Sequence, residues 1–324
     1  VRIHIEGPSS PFRPEALAQG IAALRAWGHD VDNGVDNGVD NGIDQQDRTL
    51  RGSHAYLNGD DDTRRLALET ALRSDVDVVW LARGGYGLTR IVDDVSIPTR
   101  VPVVVGFSDA TALFARLAVA GHLDRCVHGP LATTIVGEAD DSIARVLAVT
   151  ARRVGLSGLA STTASPALLP PLRVLSAAGA RETITAPLWA GNLVVLAALC
   201  GTRSMPDLRG HIVVVEEVGE RPYRLDRVVT QLRRAGAFDG VAAIVVGHLT
   251  GCDEPAASNG NANTNSRDRA PAGIDVVVER LGTLGIPLLA GLPCGHESPN
   301  LALPLGGLAR LDIDGAVATL VADG

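Results

Sequence analysis

Lysine is absent from the 324 residues, so all 29 basic side chains are arginines. That absence excludes a Ser-Lys dyad, a Schiff-base lysine and the lysine of a phosphate-binding P-loop. Aromatics make up only 3% of the chain, which leaves Ala, Val, Leu and Ile to build the core. With a formal net charge of −8 and no aromatic interleaving, a nucleic-acid partner is not expected. The four cysteines, Cys126, Cys200, Cys252 and Cys294, are far apart and form no CxxC. Neither a zinc site nor a disulfide framework is suggested, and a reducing cytoplasm is the simplest compartment. No apolar run reaches the roughly 18 residues of a membrane span, and the chain starts in an alternating segment without a basic region and apolar stretch ahead of it. The expectation is a soluble, unexported protein with a complete N-terminus.

What is present is a globular composition, 46% hydrophobic and 20% charged. At roughly 100 to 200 residues per domain, the length suggests two domains. Segments 1–5, 76–82 and 101–105 read as strands, and 14–27, 61–73, 109–120 and 140–153 as helices. This alternation predicts a mainly parallel sheet covered by helices. From 155 to 187 the chain turns Ser-, Thr-, Ala- and Pro-rich with weak periodicity, as in an interdomain linker, which places an N-terminal domain at 1–154 and a C-terminal domain at 188–324. The second half reads as α+β, with helices at 192–200 and 223–235, strands at 212–215 and 241–246, and a hairpin over 308–321 turning at Asp314-Gly315. Residues 31–44 repeat Val-Asp-Asn-Gly. A calcium loop fails there because Gly34 and Gly38 occupy ligand positions, so a tandem expansion in a surface turn is expected. Residues 251–273 read as a long exposed loop.

Two loops carry candidate chemistry. Val103-Val104-Val105-Gly106-Phe107-Ser108-Asp109 runs from a buried strand through Gly-x-Ser into a helix, the geometry of a nucleophile elbow that offers the Asp109 amide as an oxyanion donor. The usual second Gly is Ala110, and a helix cap by Ser108 or Asp109 explains the same residues. Arg83-Gly84-Gly85-Tyr86-Gly87-Leu88-Thr89-Arg90 follows another buried strand. As a dinucleotide fingerprint it fails, because Arg90 takes the place of the third Gly; donation of an amide to an oxyanion fits better. A Ser nucleophile needs a base and a carboxylate to orient it. His128, His248 and His296 are the candidate bases, with His296 best placed in the Gly-containing loop Cys294-Gly295-His296-Glu297. Glu216 follows Val213-Val214-Val215 and is expected at a strand end near the surface.

These blocks, together with Trp189-Ala190-Gly191-Asn192-Leu193, Val215-Glu216-Glu217-Val218-Gly219-Glu220-Arg221-Pro222-Tyr223-Arg224-Leu225-Asp226-Arg227 and Gly295-His296 followed by Leu303-Pro304-Leu305-Gly306, resemble the LD-carboxypeptidases in order over nearly the whole chain. These are serine peptidases also called muramoyltetrapeptide carboxypeptidases. Departures are Ala190 where Gly is common, Glu217 where Asp is usual, and the Val-Asp-Asn-Gly repeat. None removes a catalytic group. The resemblance implies a flavodoxin-like N-terminal domain with a mainly parallel sheet and a C-terminal swivelling β/β/α domain. It assigns Ser108 as nucleophile, Glu216 as orienting acid and His296 as base, at the domain interface.

The implied reaction is hydrolysis of the L,D peptide bond that releases terminal D-Ala from murein tetrapeptides in peptidoglycan recycling. Amides of Asp109 and Gly85, or of Gly84 in its place, would hold the oxyanion. Arg83, Gly84, Asn192 and Arg224 are candidates for binding substrate, the arginines through its terminal carboxylate; Asn192 is equally a helix cap. No cofactor, metal or membrane is expected, and the partners are the murein-derived peptide and a second copy of the chain in a homodimer. The related microcin C immunity peptidases, which cleave peptidyl or aminoacyl nucleotides, are the nearest alternative. A non-enzymatic α/β ligand-binding module is another.

Overall fold

The computed structural model describes residues 1–32, 54–156, 169–177, 183–255 and 271–322. Most of the Val-Asp-Asn-Gly repeat and of the 251–273 stretch lie outside them. In the first half β1 (Arg2–Glu6), α1 (Pro14–Ala26), β2 (Asp30–Asp32), α2 (Asp61–Arg73), β3 (Val78–Leu81), α3 (Leu88–Ile91), β4 (Val103–Gly106), α4 (Ala110–Val119), β5 (Cys126–His128) and α5 (Asp140–Val154) follow in turn. The strands pair in the order β2-β1-β3-β4-β5, all parallel, which is the flavodoxin-like order. β3 and β4 are wholly buried Val-rich runs, as central parallel strands covered on both faces must be. Helix ends follow local chemistry: Pro14 opens α1, the Asp60 carboxylate accepts from Thr63 N at 2.8 Å to cap α2, and left-handed Gly155 closes α5.

The second half comprises β6 (Leu172–Ser176), β7 (Thr183–Asn192), α6 (Leu193–Ala198), β8 (Ile212–Val218), α7 (Pro222–Arg234), β9 (Ala243–Thr250), α8 (Gly273–Leu281), β10 (Leu288–Ala290), β11 (Leu303–Pro304), β12 (Leu308–Asp314) and β13 (Val317–Ala322). Seven of these strands close a barrel, β10-β6-β13-β12-β7-β8-β9, with a parallel stretch β7-β8-β9-β10. The 155–187 stretch is therefore not only a linker. It supplies β6 and the start of β7, barrel strands whose polar outward positions masked their alternation. Nor is 188–324 confined to the second domain: β11 crosses back and pairs antiparallel with β5, Leu303 opposite His128. Pro304 is tolerated there because the strand lies at the sheet edge.

Candidate active site

The site forms where strands of both domains end. Ser108 lies between β4 and α4 with φ +65°, one of two non-glycine residues among those described that have positive φ. Such a left-handed serine is strained, and the surrounding turn enforces it. The helix-cap alternative is not what forms, since neither Ser108 nor Asp109 makes a side-chain cap bond at the start of α4. The glycines at the turn keep it tight: a Cβ on Gly84 would sit 3.0 Å from Ser108 Oγ, and one on Gly106 would sit 3.0 Å from a Leu81 methyl.

His296 Nε2 lies 3.2 Å from Ser108 Oγ, and its Nδ1 lies 2.7 Å from Glu216 Oε2. Phe107 packs against the imidazole in a T-shaped contact at 4.8 Å, holding the ring from the turn that carries Ser108. Glu216 corrects the sequence expectation, for it is fully buried and not at the surface. β8 continues past it to Val218, and its register on β9 shifts between Val215 and Glu217, an irregularity centred on the glutamate. Gly295, with φ +128°, permits the close approach, because a Cβ there would meet Glu216 Oε2 at 2.9 Å.

The other candidate bases are placed differently. His128 is fully buried, 3.4 Å from Cys294 Sγ through Nδ1, and burial lowers its pKa to about 4. His248 is half-buried and its Nδ1 accepts from Glu297 N at 3.3 Å, which braces the His296 loop. Burial also lowers its pKa.

The candidate binding residues separate into two sets. Gly84 touches Ser108, and among the described residues neither Gly85 N nor Asp109 N has a protein acceptor. Arg83 donates to Pro11 O at the same rim. Arg224 lies exposed on the first turn of α7, bonded to the Tyr223 hydroxyl at 3.1 Å and stacked over its ring. Asn192 is the N-cap of α6: Oδ1 accepts from Val195 N at 3.1 Å and Nδ2 donates to Glu217 Oε1 at 3.0 Å. Glu217, missed by sequence reasoning, is buried beside Glu216 and also accepts from Val194 N and Val218 N at 2.8 Å. Burial raises its pKa although these donors oppose the shift. The only signal for it was a second carboxylate directly following a buried apolar run. Among the described residues no three His, Cys, Asp or Glu side chains group as a metal site.

Known proteins resemble this chain over nearly its whole length. Residues 3–129 match the LD-carboxypeptidase N-terminal domain and residues 185–311 the LD-carboxypeptidase C-terminal domain. The chain belongs to the LD-carboxypeptidase family. This LD-carboxypeptidase family chain is 33% identical to a putative carboxypeptidase of Synechocystis over 97% of its length and 92% of the relative's. It is 27% identical to a murein tetrapeptide carboxypeptidase of Pseudomonas aeruginosa, over 96% and 93% respectively. Among solved structures it resembles the muramoyltetrapeptide carboxypeptidase of Oxalobacter formigenes, with TM-score 0.74, 25% identity and coverage of 100% and 99%. It shares its fold with the microcin C7 self-immunity protein MccF in complex with glutamyl sulfamoyl guanosine, with TM-score 0.68, 18% identity and coverage of 100% and 96%.

Proposed function

We propose that the protein is a serine carboxypeptidase that releases terminal D-Ala from murein-derived tetrapeptides, in cytoplasmic peptidoglycan recycling. The observation that carries this reading is the hydrogen-bonded line Ser108–His296–Glu216, with the serine on a strained turn. Ser108 Oγ attacks the carbonyl of the L,D bond while His296 Nε2 takes its proton. Glu216, bonded to Nδ1, sets the tautomer and stabilises the imidazolium. The amides of Asp109 and Gly85 receive the oxyanion, with Gly84 leaving room for it. On collapse the C–N bond breaks, His296 protonates the D-Ala amine, and water activated by the same base hydrolyses the acyl-enzyme.

Arg83, beside the oxyanion loop, and Arg224 are the proposed holders of the substrate's terminal carboxylate. Asn192, the α6 cap, keeps a second Nδ2 hydrogen beyond its bond to Glu217 and is a further proposed contact to the peptide. The deciding experiment measures D-Ala release from a tetrapeptide and from its C-terminal amide, with an aminoacyl sulfamoyl nucleotide as a third substrate. Release from the acid alone supports the reading; turnover of the nucleotide alone reassigns the protein to the immunity-type chemistry. Arg83→Ala and Arg224→Ala then show which guanidinium carries the preference for the acid. Fluorophosphonate labelling of Ser108 separates either enzyme from a non-catalytic binder.

A further inference from the structure

Asp109 is buried directly after Ser108, yet its side chain makes no cap bond at the start of α4. Its side chain leaves its own helix and accepts from Leu88 N at 2.9 Å, reaching from the β4 turn to the end of the Gly-rich loop after β3. That loop contains Gly85, whose amide is a proposed oxyanion donor, and Gly87, whose φ of +142° marks an unusual bend. A third loop, after β1, is stitched to the same place. Ser10 N donates to Gly84 O at 3.3 Å and Tyr86 N donates to Ser10 Oγ at 3.1 Å. The fully buried Arg64 donates through one nitrogen to Pro8 O at 2.5 Å and Gly87 O at 3.0 Å. The Ser9 hydroxyl also faces the Asp109 carboxylate inside this cluster and opposes the effect of burial on its pKa.

We infer that the Asp109 side chain is a positioning residue, a clasp that holds the Gly84–Leu88 loop against the nucleophile turn and so sets the spacing between its own backbone amide and that of Gly85. Buried carboxylates are costly unless their acceptors are used, and this one faces the backbone N–H groups of Leu88 and Gly87 across two loops. The protonated form is favoured by burial, which raises the pKa to about 6. The clasp itself is one hydrogen bond, accepted by a single side-chain oxygen from Leu88 N. An asparagine retains that oxygen and offers Ser9 Oγ a donor.

This inference rests on the serine-peptidase reading. Its test compares wild type, Asp109→Ala and Asp109→Asn on the tetrapeptide, with melting temperatures and circular dichroism as checks on folding. Displacing one oxyanion donor costs on the order of 100-fold in kcat. Asp109→Ala is expected to lose that much in kcat with KM within about threefold of wild type, and Asp109→Asn to restore most of the loss. A folded Asp109→Ala enzyme with normal kcat overturns the clasp. So does a loss carried by KM alone, or an Asn variant as slow as Ala. Should Asp109→Ala fail to fold, the Asn variant alone decides: a kcat as low as about 1% of wild type in a folded protein overturns the inference. If wild type releases no D-Ala and takes no label, the parent reading fails instead, before any variant is compared.

Discussion

His296 stands apart from the other histidines, because its two nitrogens reach Ser108 and Glu216 at once. His248 makes only a backbone contact at 3.3 Å. Replacing His296 by Ala is expected to lower kcat by roughly 10⁶-fold, the scale seen when the base of a serine triad is removed. His248→Ala should stay within about tenfold; steady-state kinetics reporting the reverse ranking would move the base to His248. Two other buried groups give stability an acid dependence with opposing signs. Asp109 rises from 3.8 to about 6, so between those values the folded protein keeps a proton that the unfolded chain releases, and this contribution is lost as pH rises. His128 falls from 6.5 to about 4, so its contribution is lost as pH drops through that window. The two offset each other in wild type. Asp109→Asn removes only the first, so its melting temperature should fall more steeply than wild type between about pH 6.5 and 4. A shallower profile would mean that Asp109 is ionised throughout.

At the scale of elements, α1 offers a test in which propensity and packing oppose each other. Ala in place of a mid-helix Gly ordinarily stabilises by about 1 kcal/mol. Gly20 is buried against the turn that follows β5, and a Cβ there would lie 1.8 Å from Ala132 O and 2.8 Å from its carbonyl carbon. Both atoms are backbone and cannot rotate away. Gly20→Ala should therefore destabilise by about 1–3 kcal/mol or more despite its better propensity, whereas the exposed Gln19→Ala should stay within about 0.5 kcal/mol. Denaturant melts of the two variants measure both; a stabilised Gly20→Ala would show that α1 is free to slide.

Across the whole molecule, one apolar cluster joins the two sheets, from Leu72, Leu113 and Val104 on one side to Val214, Leu289 and Leu311 on the other. Polar ties accompany it: Asn192 N donates to Thr111 Oγ1 at 2.9 Å, Arg145 Nε to Ala302 O at 2.6 Å and Ser204 Oγ to Asp93 Oδ1 at 2.5 Å. Each half also buries a cluster of its own, around Trp80 and Val127 in the first and around Trp189 and Ile244 in the second, but the shared core couples them. Calorimetry should show a single transition, with calorimetric and van't Hoff enthalpies equal. Two resolved transitions would mean that the nucleophile and its partners belong to independently stable domains.

Much of this was legible in the chain. The helices at 14–27, 61–73 and 140–153 needed only 3.6-residue periodicity and end signals such as Pro14 and Gly155, which act locally. The elbow at Ser108 was legible because a buried apolar run meeting Gly-x-Ser and a helix leaves few other backbone paths. Strands β6 and β7 were not, because barrel strands with one wet face carry polar residues and a Pro that read as linker. Glu216 was placed at a strand end, where composition puts a carboxylate. Its complete burial depends on the irregular β8–β9 register and on Gly295 from a segment 80 residues away. The reach of Asp109 to Leu88 and the return of β11 to the first sheet are likewise invisible to periodicity. Sequence by itself determined the elements and the chemical types at the site, because those follow from short-range sterics and from which groups carry reactive atoms. Tertiary structure alone decided which histidine meets which serine, because that depends on hydrogen bonds spanning 188 and 80 positions in the chain, closed only when both domains pack on one core.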